Sequence, residues 1–171
     1  MDKDMLKGFM EVAKANLQRD DSLTPVALGI KDEQLIPIAL TWGDEDSLRL
    51  AIFEAGATMR LMGVYEAVLL IDAALRVVPE EHIKYFKENL DTEAPLCYPE
   101  GLIRKECIVM YYLDFKTGGH TVTTQVYKRV EGKVQYEDSV DLSTGTGQDI
   151  FTTYLLKGYT MADAAIKEQE L

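Results

Sequence analysis

Four side chains are the first candidates for chemistry: Asp72, Cys97, His82 and His120. Asp72 closes the most apolar stretch of the chain, Ala67-Val-Leu-Leu-Ile71. Burial raises a carboxyl pKa unless hydrogen bonds offset it, and a raised carboxyl in a cleft is suited to proton transfer. A strand that simply leaves the core at Asp72 explains the same residue, and we favour that explanation. Cys97 lies in the Pro-flanked loop Leu96-Cys-Tyr-Pro99, where a thiol near His82 could act as a nucleophile. Glu93 and Glu100 lie nearby and no cation adjoins it, which opposes thiolate formation. His82 stands beside Glu80 and Glu81, and His120 follows a Gly-Gly turn at a strand start. Neither HExxH nor paired CxxC occurs, so zinc would need the fold to gather both histidines and both cysteines. Cys107 alternates with core residues and reads as packing. No metal and no cofactor is predicted.

Weaker candidates follow. Ser143, Thr144, Gly145, Thr146 and Gly147 precede a helical pattern, and their N–H groups could form an anion nest. The run lacks the Lys of a phosphate loop and the GxGxxG spacing, so a hinge and helix cap is preferred. Asp44, Glu45 and Asp46, then Glu137, Asp138 and Asp141, have the oxygen chemistry of a Ca²⁺ or Mg²⁺ site. No twelve-residue EF-hand loop surrounds them, and an acidic helix start explains the first group. Six cations, Lys84, Lys87, Arg104, Lys105, Lys128 and Arg129, could form a nucleic-acid patch. Glu80, Glu81, Glu88, Glu106 and Glu131 oppose it.

Whole-chain charge points the same way. Lys and Arg total 18 and Asp and Glu 29 in 171 residues, a net charge of −11. Phosphate binding needs clustered cations, so nucleic acid and anionic membrane are excluded as partners. The hydrophobic share of 47% is that of a folded chain, not a disordered one. The length predicts one globular domain over residues 1–171. No apolar run approaches the ~20 residues that span a bilayer. The charged N-terminus is unlike a secretion signal, and two cysteines make no disulfide framework. A cytoplasmic location is expected.

The elements that must position these residues show in the periodicity. Met5, Leu6, Phe9, Met10, Ala13 and Leu17 recur at helical spacing over residues 2–18. Val26, Leu28 and Ile30 alternate, Lys31-Asp-Glu-Gln34 is a polar turn, and 35–40 returns, which predicts a β-hairpin. Pro25 and Pro37 favour an edge or terminal position. A helix starts at Asp44 or Asp46 and ends at Gly63, a left-handed cap. Residues 64–74 predict a buried strand, and 79–89 a short helix within a helical insert at 79–101. A meander covers 103–115, 120–130 and 134–142. The segment 148–171 is helical and packs through Ile150, Phe151, Tyr154, Leu155, Met161 and Ile166, with a break at Gly158 and a restart at Thr160. The fold class is α+β: a mostly antiparallel sheet flanked by helices, in the order helix, hairpin, helix, strand, helix, meander, helix.

The succession of "TPVALGIKDEQLIPIAL", a helix and "VYEAVLLIDAAL", then "PEEHIKYFKEN", "RKECIVMYYLDF" and "TVTTQVYKRVEGKVQYED", resembles a class of small prokaryotic α+β proteins without assigned activity. The resemblance covers residues 20–140 as a pattern of elements. It implies an acidic residue after the central strand, the place of Asp72, and no transferable function.

The sequence therefore predicts a non-catalytic interaction or accessory protein with a protein partner, a second copy above all. Tyr111, Tyr112, Tyr127 and Tyr136 would put aromatics on both faces of the meander, one of them open to a partner. The alternative is a small hydrolase or ligand-binding enzyme using Asp72, Cys97 and a histidine.

Overall fold

Met10, Ala13 and Leu17, three and four residues apart, form the buried stripe of helix α1 (Lys3–Asp20). The structure is a computed structural model that describes residues 3–77, 103–138, 140–142 and 150–169. Asp21 adopts a left-handed φ of 55° and ends α1. Strands β1 (Val26–Lys31) and β2 (Gln34–Ile38) form the expected hairpin. Its two-residue turn, Asp32-Glu33, has positive φ at both positions, as the right-handed twist of a tight hairpin demands. Pro37 lies on β2, the edge strand, where its missing N–H is tolerated.

Helix α2 (Glu45–Leu61) begins with a capping box. The Asp44 carboxylate accepts the Ser47 N–H at 2.8 Å, and Ser47 Oγ accepts the Asp44 N–H at 2.9 Å. Gly63, at φ 69°, follows the C-cap as expected. Strands β3 (Glu66–Val77), β4 (Ile103–Asp114), β5 (His120–Val130), β6 (Lys133–Tyr136) and β7 (Val140–Leu142) follow, then helix α3 (Ile150–Gln169). The sheet is antiparallel in the order β2-β1-β3-β4-β5-β6, with β7 also on β5. The fold is α+β. No helix among the described residues is long and apolar enough to cross a membrane.

The strand expected over 134–142 is two pieces. Tyr127 pairs with Tyr136, but Thr124 pairs with Val140. Three steps on β5 thus match four on the partner, a one-residue bulge. The buried Gln125 amide donates to the Glu137 carbonyl and helps fill the interruption.

Both sheet faces are covered. Ala67, Leu69 and Ile71 of β3, with Cys107, Val109 and Leu113 of β4, pack on Ile52 and Met59 of α2 and Leu155 of α3. Val68, Leu70, Ile108 and Met110 point the other way and pack on α1. Two buried faces explain why Ala67–Ile71 is continuously apolar. This overturns the expectation of an open aromatic face. Tyr127, Tyr136 and Tyr112 belong to the α1 layer, where Tyr136 Oη donates to the Lys14 carbonyl at 2.7 Å. Tyr111 belongs to the opposite layer, 6.0 Å from the Phe151 ring.

Helix α3 corrects two further expectations. It is continuous through Gly158. Glycine serves there for close approach: a Cβ on Gly158 would stand 1.9 Å from the Phe53 carbonyl oxygen, and one on Gly56 would stand 2.0 Å from that of Leu155. Leu155 is fully buried as expected, but Met161 is 64% exposed instead of packed. The helical insert predicted at 79–101 lies outside the described residues.

Candidate functional site

Asp72 and His120 are the two described members of the first candidate set. Cys97, His82 and the run Ser143–Gly147 lie outside the described residues. Asp72 pairs with Ile108 across β3 and β4, so it faces α1 with Leu70 and Met110. His120 pairs with Leu113, which belongs to the α2–α3 layer. The sheet therefore stands between Asp72 and His120, and these two residues do not share a pocket.

Asp72 is half-buried and held. The Tyr127 hydroxyl, on a side chain only 2% exposed, donates to its Oδ1 at 2.8 Å. Burial pushes the Asp72 carboxyl above the usual range; the Tyr127 bond and the Arg129 charge oppose that rise without cancelling it. Burial, then the Asp72 carboxylate, raise the Tyr127 phenol, so it remains a donor. Arg129 lies over the Tyr127 ring at 5.3 Å and donates to Glu106 Oε1 at 2.6 Å. It also donates to Asp21 Oδ1 and to the Asp21 carbonyl, both at 3.0 Å. The group ties β3, β4 and β5 to the left-handed residue that ends α1. Chemically it has a carboxyl of raised pKa, but that carboxyl is already engaged by a phenol. Its arrangement is that of a lock between elements.

Of the other charged candidates, Asp44, Asp46 and Glu137 are engaged in structural contacts. Asp44 is the cap of α2, and the Ser47 N–H holds its carboxyl below the usual range. Glu137 pairs with Lys105 at 2.8 Å, which lowers its carboxyl as well. Among the described residues no group of three or more His, Cys, Asp or Glu is placed to hold a metal ion. The cations whose side chains are described do not form one patch either. Register puts Lys105 and Lys128 on the Cys107–Val126 side of the sheet and Arg129 on the Tyr127 side. Lys84 and Lys87 lie outside the described residues. Cys107 is 1% exposed in the core, as its alternation implied.

Concavity is found elsewhere, along the seam of α2 and α3. A cleft of about 560 Å³ runs beside α3, with Leu113 and His120 from the paired ends of β4 and β5 and Phe53 from α2. Lys157 and Met161, one turn apart on α3, border it. A second hollow of about 330 Å³ lies between Arg49, Leu50 and Phe53 of α2 and Tyr154 of α3. Phe53 lines both. Sequence reasoning named His120 but missed Phe53, Leu50 and Lys157. The available signal was the spacing Tyr154, Lys157, Met161, a second stripe on α3 beside the buried one.

Comparison with known proteins gives no match: no family model, no curated protein and no solved structure corresponds to this chain.

Proposed function

We propose that the protein is a non-catalytic accessory protein of the cytoplasm that works by binding, with the α2–α3 seam as its binding face. The carrying observation is the shape of that seam. Two hollows meet at Phe53, and Leu50 and Met161 stand out beside them, 57% and 64% exposed. Aromatic and Met side chains are the residues that interfaces enrich. Hollows and projections on one face can fit each other after a two-fold rotation, the commonest symmetry of homo-oligomers. A second copy of the chain is therefore the partner this reading favours.

Charge supports the same surface. A chain of net charge −11 repels its own copies, but the seam carries Arg49 and Lys157 against Asp46. Self-association there costs less repulsion than elsewhere. The test is light scattering over a wide concentration range on the native chain, Met161→Glu and Leu50→Glu. The native mass should rise toward that of a dimer, and both variants should stay monomeric with unchanged melting. A native chain that is monomeric throughout removes the second copy as partner.

A further inference from the structure

The cleft beside α3 has a chemical bias that the chain as a whole lacks. Asp and Glu are 29 of 171 residues, yet among the described residues no carboxylate lines it. The ionisable residues of its described lining are Lys157 and His120, both bases. The hollow beside the β1–β2 turn shows the contrast, with Asp32, Glu33, Glu66 and Asp114 in its wall. The remaining surface of the α3 cleft is apolar, from Phe53, Leu113 and Leu156, with threonine hydroxyls among them. Lys157 has its ammonium 5.7 Å from the Tyr154 ring, and no carboxylate pairs with it among the described residues. The volume of about 560 Å³ is that of a small-molecule site.

We infer that this cleft binds a small amphipathic monoanion: an apolar chain or ring carrying one carboxylate. The apolar part lies against Phe53 and Leu113, and the carboxylate meets Lys157 at the rim. One lysine matches one negative charge. Described lining residues that offer bases and no acids favour the approach of an anion to a chain of this net charge, because local potential and not total charge steers a ligand. The inference rests on the reading of the α2–α3 seam as a binding face; the small ligand occupies its larger hollow in the monomer and competes there with the projecting residues of a second copy.

Decanoate and decanol are the probes, titrated into the full chain by calorimetry and by amide chemical shifts. Decanoate should bind and shift the amides of Leu113, His120 and Thr153. Decanol should bind about three- to tenfold more weakly, the worth of one partly solvated charged contact. Lys157→Gln should weaken decanoate to the level of decanol without changing melting, and Lys157→Arg should restore it. Absence of decanoate binding, shifts that map elsewhere, or equal affinity for both probes overturns the inference. Light scattering on the same samples keeps the two readings apart. Self-association sensitive to Met161→Glu without decanoate binding sinks this inference alone. A strict monomer that binds decanoate sinks only the second copy as partner.

Discussion

Replacing Gly158 by Ala puts a methyl group 1.9 Å from the Phe53 carbonyl oxygen and 2.8 Å from its carbon. Carbon–oxygen contacts close to no less than about 3.3 Å, so α2 and α3 must separate by about 1.4 Å. The obstacle is backbone, which cannot swing aside as a side-chain tip would. Two effects then compete. Ala is a better helix former than Gly by about 1 kcal/mol, and Gly158 lies inside α3. Overpacking costs about 1–3 kcal/mol where side chains can adjust, and the rigid contact here belongs at or above the top of that range. The net is a loss of about 2 kcal/mol. At roughly 2–4 °C per kcal/mol for a domain of this size, Tm should fall by about 4–8 °C. Gly8 supplies the control. It lies in α1, and a Cβ there meets nothing within 4 Å. Gly8→Ala keeps the propensity gain without the clash and should raise stability by about 0.5–1 kcal/mol. Thermal and urea melts of both variants measure the difference. Gly158→Ala melting at or above the native chain would refute the account of the helix pair.

Three further outcomes follow from the contacts of the two capped and locked carboxyls. Folding raises the Asp72 pKa, so the folded state holds that proton more tightly and ionisation works against the fold. The contribution is complete below the unfolded value of about 3.9 and is lost as pH rises through the folded one. Asp72→Asn cannot ionise and keeps an oxygen for Tyr127, so its stability relative to the native chain should increase from about pH 3 to about pH 7 in urea titrations; a decrease would contradict the assignment. Tyr127→Phe removes the hydroxyl that Asp72 accepts and should cost about 1–3 kcal/mol by chemical denaturation, as a buried acceptor losing its donor does. Asp44 has the opposite sign to Asp72: its carboxyl is lowered by the Ser47 N–H, so its stabilisation is present above the unfolded pKa and disappears as pH falls through the folded one. Asp44→Ala should therefore be less stable near neutrality and approach the native chain in acid, with Asp44→Ser recovering much of the loss.

The parts of the fold that local chemistry controls were legible in the residues. Met10, Ala13 and Leu17 gave the buried side of α1, Asp44 and Gly63 bracketed α2, and Pro37 marked an edge strand. Each depends on a spacing of a few residues or on one backbone angle. What remained hidden depends on partners distant in sequence. Alternation shows that Tyr127 and Val126 face opposite ways, but not that α1 covers one side and α2 with α3 the other. That is why the tyrosines read as an open face. Gly158 reads as a breaker because glycine is costly inside a helix. Its use appears only when Phe53, more than a hundred residues earlier, arrives against it. The pairing of His120 with Leu113 is likewise a product of register, and it decides on which side of the sheet the histidine lies.

The placement of the proposed binding face follows from the same architecture. A sheet packed on both sides has little surface left for a site on the faces of β3 and β4, whose residues from 67 to 71 and 107 to 111 are buried. Ionisable groups on the α1 side of the sheet and at its border are engaged among themselves, Asp72 by Tyr127, and Glu106 and Asp21 by Arg129. Concave surface also forms where two elements diverge after touching closely. The glycine contacts bring α2 and α3 together at residues 56 and 158, and the larger side chains on either side, Phe53 and Tyr154 among them, cannot close to the same distance. Hollows beside a tight crossing are the geometric result. In the proposed reading the two glycines bear on binding as well as stability. Pushing the helices apart with Gly158→Ala should alter both hollows at once, and a variant that still folds should lose binding at the seam along with its melting temperature. Met161→Glu, by contrast, adds a charge at the rim and should abolish binding of a second copy with melting unchanged. Those different signatures separate a face built by the crossing from one built by surface side chains alone.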